Sequence, residues 1–384
     1  MPGGLSMISI RYSDNVLSAV HHPVIWLGNE CHCAPLNMCS IQAILPGVDD
    51  PNNPHGQIPA VCLNSAGVCK TLSHVRCQSL RIGQQLIVTL KKSDEPIMRY
   101  MSAQSAKAAS EALVKEPGNA RVLAGGTDLL VQMNSGNLKV DLVVDIKKIP
   151  GIRDITAEAG GLRIGAAVAG AELGEHAGVC AMWPGVVEAA RLIGSIQVQG
   201  RCTMAGNLCN GSPAGDSVPA LVAANAMVRI EGAEGTRDCP VLDIPAGPGR
   251  TTLKKGEIVT SIFLPARPAS SADAYLRFIP RTEMDIAVAS AAVNLTVDAS
   301  GTVTAARVAL GAVAPKVLLV DDAAKAIIGT KLDDAALAAL SQACEAACNP
   351  IDDKRGTVAF RTSTAGVLAR RAALIAYARA GEAK

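Results

Sequence analysis

A chain of 384 residues that is 49% hydrophobic and 18% charged can bury a sizeable core, and it exceeds the roughly 250–300 residues at which a single core stops growing, so more than one domain is expected. Its 36 basic and 34 acidic side chains nearly cancel to a formal +2, which excludes the strong basic field of a nucleic-acid or anionic-membrane binder. Aromatic residues at 2% leave no platform for stacking bases. No apolar run reaches the roughly 18 residues of a membrane span, and the nearest thing to a signal-peptide core, VLSAVHHPVIWLG, is broken by two histidines and a proline. A cytoplasmic protein is expected, with its cysteines as free thiols.

In chain order the first stretch is the least regular. Cys31, Cys33, Cys39, Cys62, Cys69 and Cys77 precede Met98, as do His21, His22, His32, His55 and His74. Such soft ligands raise the reading of a metal or iron-sulfur module, but neither the C-x4-C-x2-C spacing of a plant-type cluster nor the paired C-x2-C of a zinc site is present. Turn-rich stretches such as PGVDDPNNPHG and the lack of sustained periodicity favour reading residues 1–97 as an atypical Cys/His-rich extension. It is either disordered or a misassigned start ahead of Met98 or Met101, or else an appendage of unrecognised kind.

From Ser102 the pattern becomes regular. SAKAASEALVKEPGN spaces Ala109, Ala112 and Leu113 as one face of a helix that stops at Pro-Gly. Strand RVLA, a Gly-Gly turn, a short helix over residues 128–133 and strand DLVVDI follow, a unit that suggests parallel pairing. Then come strand LRIGAAV, helix PGVVEAARLIG opened by Pro184, a loop over RCTMAGNLCNGSPAGD, a helix from Ser217 to Ala224, and strands AMVRIE, EIVTSIFLP, DIAVASAAVNLTV and TAARVALGAV. The end is helical, in DDAALAALSQACEAAC and TVAFRTSTAGVLARRAALIAYARA. ARPASSADA has linker composition. The expectation is an α+β chain in which a two-subdomain part, residues 98–270 with a break near 150–160, precedes a smaller domain over 275–384.

Two turns invite a ligand. In VLAGGTDLL a strand ends at Ala124, Gly125 and Gly126 turn the chain, and Thr127 and Asp128 stand at a helix start, so free amides converge on one spot that suits a phosphate. The alternative is a plain strand-to-helix turn with Thr127 or Asp128 as its N-cap. TMAGN repeats the logic with Thr203, Gly206 and Asn207, and Asp216 either caps the next helix or accepts hydrogen bonds from ligand hydroxyls. Two amide-rich turns are what a pyrophosphate needs. Neither turn is a G-x-G-x-x-G fingerprint and no P-loop lysine is present, which disfavours a Rossmann or NTPase site.

RVLAGGTDLLVQM, TMAGNLCNGSPAGDSVPALVAANA, GPGRTTLKKGEIVTSIFLP and RTEMDIAVASAAV, in that order, resemble the FAD-binding medium subunit of the xanthine dehydrogenase and carbon monoxide dehydrogenase family of molybdenum hydroxylases, over about residues 98–384. The resemblance implies a two-subdomain FAD-binding fold of the vanillyl-alcohol-oxidase-like (PCMH) type. It places the FAD on Val122, Leu123, Ala124, Gly125, Gly126, Thr127, Asp128 and Leu129, and on Thr203, Met204, Ala205, Gly206 and Asn207. Further contacts fall on Ile193, Asp216, Val259 and Arg277, the last where the family often has lysine. Two departures stand out: TMAG replaces the usual Thr-Ile-Gly-Gly, so Ala205 adds a methyl at a close backbone approach, and QGRCT replaces Arg-Asn-x-Gly-Thr. The implied job is electron transfer from the iron-sulfur clusters of a two-iron two-sulfur small subunit, fed by a molybdopterin-binding large subunit, through FAD to quinone, NAD or oxygen. The alternatives are a stand-alone FAD oxidoreductase and a scaffold that has lost FAD. No residue of this chain is read as catalytic or as a metal ligand.

Four other features read as structural. Cys202 and Cys209 are too far apart for a redox pair, His176 beside Glu175 reads as a solvated helix face, Cys344 and Cys348 read as a core stripe, and Arg277, Arg281 and Glu283 read as a charged strand end, with only the resemblance raising Arg277 above a surface ion pair.

Overall fold

The computed structural model describes residues 98–382 in full and, before them, the backbone of residues 6–13, 16–23, 61–63, 69–71, 75–82 and 85–92. The chain divides into two compact units, Met1–Ile97 and Met98–Lys384. In the first, the described strands pair as antiparallel hairpins: β1 (Ser6–Ser13) with β2 (Val16–Pro23), β3 (Val61–Leu63) with β4 (Cys69–Thr71), and β5 (Val75–Ile82) with β6 (Gln85–Lys92). The sequence showed no sustained strand periodicity here. The cysteine and histidine side chains of this unit, and with them the metal-module reading, lie outside the described residues.

The second unit opens with β7 (Arg99–Ser102), α1 (Ala106–Lys115), β8 (Ala120–Leu123), α2 (Leu129–Asn134) and β9 (Leu142–Asp145). Ser105 caps α1 by accepting from the Ala108 amide, and Ala109 and Leu113 bury its apolar face. The three strands form a parallel sheet of order β7-β9-β8, as the strand-turn-helix-strand pattern requires. Every residue of the central strand β9 is buried.

A second sheet, antiparallel and of order β10-β11-β16-β12-β13, is built from β10 (Ile155–Glu158), β11 (Gly161–Gly165), β12 (Met227–Gly232), β13 (Gly235–Pro240) and β16 (Ile258–Leu264), with the small hairpin β14 (Pro245–Gly247) and β15 (Arg250–Thr251) inserted. Between β11 and β12 run short helices: α3 (Gly170–Glu175), α4 (Ala177–Met182), α5 (Pro184–Arg191), α6 (Ile196–Gln199), α7 (Met204–Cys209) and α8 (Ser217–Ala223). Here the structure corrects the reading of RCTMAGNLCNGSPAGD as a loop, because its middle is helix α7. Six residues are too few to show a 3.6-residue period, so glycine and proline density governed the expectation. One core, with Leu113, Val144, Ile164, Trp183, Leu208, Leu221 and Ile262, joins both sheets and these helices.

The C-terminal part is an antiparallel sheet in chain order, β17 (Ser271–Phe278), β18 (Ala289–Val297), β19 (Val303–Gly311) and β20 (Leu318–Leu319), with α9 (Asp321–Ile327), α10 (Asp334–Ala347) and α11 (Val358–Glu382) packed on it around a core that includes Val293, Leu310, Leu340, Cys344 and Ala372. ARPASSADA does not end as linker: Ser271–Ala274 are buried and begin β17. Among the described residues, no helix is long and apolar enough to cross a membrane and no cluster of three or more ligating side chains could hold a metal ion.

Candidate functional site

The first turn leaves the parallel sheet at the C-terminal end of β8. Gly126 takes φ +80°, a left-handed conformation that costs glycine little. Lys147, just beyond β9, holds the turn from behind: its Nζ donates to the Ala124 carbonyl at 3.0 Å and pairs with Asp145 at 2.8 Å. Asp145 also accepts from the Tyr100 hydroxyl at 2.7 Å. Burial works to raise the Asp145 carboxyl, and the bonds from Lys147 and Tyr100 outweigh it and hold it below the usual carboxylate value. The carbonyl side of the turn is therefore occupied. Its amide side is not: the backbone N–H groups of Ala124, Gly125, Gly126, Thr127, Asp128 and Leu129 have no acceptor among the described residues. Asp128 stands at the N-cap of α2 but makes no side-chain cap bond. Burial raises its carboxyl above the usual value.

The second turn is pressed against the first. A Cβ at Gly125 would lie 2.0 Å from the Arg201 carbonyl oxygen, so bare backbone is required where the two turns meet. Gln132 on α2 donates to Asn210 at 3.1 Å across the same junction. Thr203 caps α7 by accepting from the Gly206 amide at 2.9 Å, and the amides of Met204 and Ala205, at the start of that helix, have no acceptor. The Ala205 methyl belongs to the main core, so the departure from glycine fills core volume and leaves its amide open. Asn207 Oδ1 accepts from Ser217 N and Oγ at 3.2 and 2.8 Å, tying α7 to α8. Cys202 is buried at the junction with its thiol pushed up to about 11 by burial, and Cys209 is pushed up to about 12, which makes both inert thiols.

Asp216 and Arg277 form one ion pair at 2.7 Å, with side chains only 10% and 5% exposed. The expected strand-end surface charge is thus a buried pair that joins α8 to β17, and Asp216 caps nothing. Its other oxygen accepts from Tyr275 at 3.0 Å. Burial pushes the Asp216 carboxyl up to about 6, against the pull of Arg277 and Tyr275. Arg277 also lines a cavity of about 470 Å³ with Leu192, Gly194, Ser195, Ile196 and Gln199, and its Nε has no partner.

The structure therefore brings Val122–Leu129 and Thr203–Asn207 together, and pairs Asp216 with Arg277. Ile193 is buried between cavity-lining neighbours, and Val259 sits on β16 in the main core, paired in register with Ile230. Sequence reasoning missed Tyr275, Lys147 and Asp145. Tyr275 was findable: two residues before Arg277 on a strand, it shares that residue's face. His176, expected on a solvated face, instead caps α4 by accepting from the Val179 amide at 3.2 Å.

Open amides, a fixed buried cation and a cavity suit a cofactor with a diphosphate and a polar ring, and comparison with known proteins agrees. Residues 95–267 match the family described as the FAD binding domain in molybdopterin dehydrogenase, and residues 274–376 match the CO dehydrogenase flavoprotein C-terminal domain. The chain is similar to the carbon monoxide dehydrogenase medium chain of Hydrogenophaga pseudoflava, 31% identical over 74% of this chain and 98% of that one. It is similar to the xanthine dehydrogenase FAD-binding subunit of Escherichia coli, 29% identical over 70% of this chain and 92% of that one. A solved carbon monoxide dehydrogenase structure from Hydrogenophaga pseudoflava superposes with a TM-score of 0.71 at 33% identity, covering 74% of this chain and 98% of that one. Fold and site thus define a flavoprotein with the α+β, PCMH-type FAD-binding architecture. The chain belongs to the FAD-binding medium subunits of the molybdenum hydroxylases, the family of carbon monoxide and xanthine dehydrogenases, and is an oxidoreductase subunit whose cofactor is FAD.

Proposed function

We propose that this chain carries electrons within a multi-subunit molybdenum hydroxylase, receiving them from the clusters of an iron-sulfur subunit that a molybdopterin-binding subunit feeds, and delivering them to an external acceptor. The named relatives are medium chains or FAD-binding subunits, which supports partner subunits for this chain as well. Residues 98–270 serve as the FAD domain, in two subdomains meeting near 150–160, and residues 275–384 as the C-terminal domain. FAD, when bound, exchanges electrons singly or in pairs, which suits a link between one-electron clusters and a two-electron acceptor.

The observation that carries the reading is the pair of interlocked turns whose amides from residue 124 to 129, with those of Met204 and Ala205, have no acceptor. Those of residues 124–127 and 129 are half-buried and those of Met204 and Ala205 buried; such amides left unpaired cost free energy, and an anion placed among them recovers it. Val122, Leu123, Ala124, Gly125, Gly126, Thr127, Asp128 and Leu129 then cradle one side of the diphosphate, and Thr203, Met204, Ala205, Gly206 and Asn207 the other. Lys147 keeps the carbonyl of Ala124 turned away from the negative charge. Ile193 and Val259 shape the apolar surroundings, and Asp216 acts toward the cofactor by holding Arg277. Purification of the native complex tests this: FAD, iron and molybdenum in fixed ratio are expected, whereas an active chain free of iron and molybdenum would make it a stand-alone flavoenzyme.

A further inference from the structure

Arg277 is the one side chain at the site with a buried, unpaired donor. It is 5% exposed, one terminal nitrogen donates to Asp216 at 2.7 Å, its Nε has no partner, and it lines the 470 Å³ cavity. Burying a guanidinium N–H without an acceptor is costly, so an acceptor arriving in the cavity recovers that cost. The guanidinium cannot swing away. Tyr275 lies on the same face of β17, is fully buried, and its hydroxyl fixes the second oxygen of Asp216 at 3.0 Å. The cavity wall is mixed, with Leu192 and Ile196 beside Ser195 and Gln199 and with Arg191 and Glu283 as its other charged members, of which Arg277 is the one held by a buried ion pair; such a wall fits a planar heterocycle with carbonyls along one edge. Its segment 191–199 runs straight into the second amide turn, to which it is bonded from Cys202 N to the Val198 carbonyl at 2.8 Å. A ligand with its diphosphate at the turns has its ring end on this side.

We propose that Asp216 and Tyr275 are positioning residues that hold Arg277 as a fixed cation against the carbonyl edge of the flavin ring, where it favours the reduced cofactor over the oxidised one. This rests on the FAD reading above. Oxidised flavin is neutral; uptake of two electrons and one proton leaves one negative charge on the ring, and a desolvated cation at fixed distance stabilises that charge more than it would in water. A lysine would offer a mobile point charge here, whereas the guanidinium is held through one terminal nitrogen by Asp216 and keeps its planar face fixed.

The test is a redox titration of FAD in the full chain with dithionite as electron source, comparing wild type with Arg277→Met, Arg277→Lys and Tyr275→Phe. Arg277→Met is expected to retain FAD on the amide turns while its preference for reduced over oxidised flavin falls at least tenfold, about 30 mV for a two-electron couple. Arg277→Lys should recover part of the loss, and Tyr275→Phe, which keeps the charge but frees the carboxylate, should fall between Arg277→Met and wild type. Should Arg277→Met not fold, Arg277→Gln carries the same comparison. A charge-free variant with the wild-type potential overturns the inference, and so does a lysine variant as low as methionine, since packing alone would then explain both. Wild-type chain that takes up no FAD overturns the cofactor reading and this inference with it, which keeps the two failures apart.

Discussion

Gly125 is the residue at which the two turns depend most on having no side chain. Its missing Cβ would stand 2.0 Å from a backbone carbonyl of Arg201, which no rotamer change can relieve. Gly125→Ala must part the turns, at a cost of about 1–3 kcal/mol, and the amides then no longer face one ligand. Urea denaturation should show the loss of stability, and titration with FAD should show affinity falling at least tenfold. Normal affinity in a destabilised variant would mean the junction serves only the fold. Gly125 was legible because a doubled glycine between a strand and a helix has few uses. Lys147 was not legible, because a lysine two residues past a strand looks like any solvated lysine until the parallel sheet brings it under Ala124.

At the scale of elements, the second turn is a helix start rather than a loop. Thr203 supplies its cap, so Thr203→Ala should cost ~1 kcal/mol and weaken FAD by loosening the amides of Met204 and Ala205, while Thr203→Ser should retain both. Matching unfolding midpoints and FAD titrations for Thr203→Ala and wild type would rule out that role. Long periodic elements such as α10 and α11 and the strands β18 and β19 could be read from the sequence within a few residues. The short helices α3, α4, α6 and α7 could not, since their stability comes from tertiary packing and capping rather than from propensity. Asp216 and Arg277 lie 61 residues apart in sequence, and only the packing of α8 against the C-terminal sheet makes them partners.

Across the whole second unit, a polar network, buried at Asp273 and half-buried at Glu188 and Arg379, joins α5 of the FAD part to β17 and α11 of the C-terminal part. Asp273 accepts from the Val186 amide at 3.2 Å and pairs with Arg267 at 3.0 Å, Glu188 accepts from the Tyr275 amide at 3.0 Å, and Arg379 bridges Glu188 and the Asp273 carbonyl. Burial pushes the Asp273 carboxyl up to about 6, with Arg267 and the α5 amides pulling it back. A carboxyl raised on folding binds its proton more tightly in the native state, so its contribution to stability is complete below its unfolded value near 3.8 and is lost as pH rises through about 6. Asp273→Asn should therefore flatten the fall in melting temperature between about pH 4 and pH 6. An unchanged pH profile would show that the carboxyl titrates in the ordinary range. The sequence displayed two cores through its change from strand to helix pattern, but the network between them was hidden, since ARPASSADA has the composition of a linker throughout and only its last four residues, Ser271–Ala274, enter the buried strand β17.

All three scales meet in one claim, that the interlocked turns hold FAD. The most direct measurement is the absorbance spectrum of the purified full chain, followed by identification of the flavin released on denaturation, beside the Gly125→Ala variant. The account predicts flavin bands and stoichiometric FAD from the wild type and a large loss from the variant. A folded wild-type chain that is colourless and takes up no added FAD would contradict it.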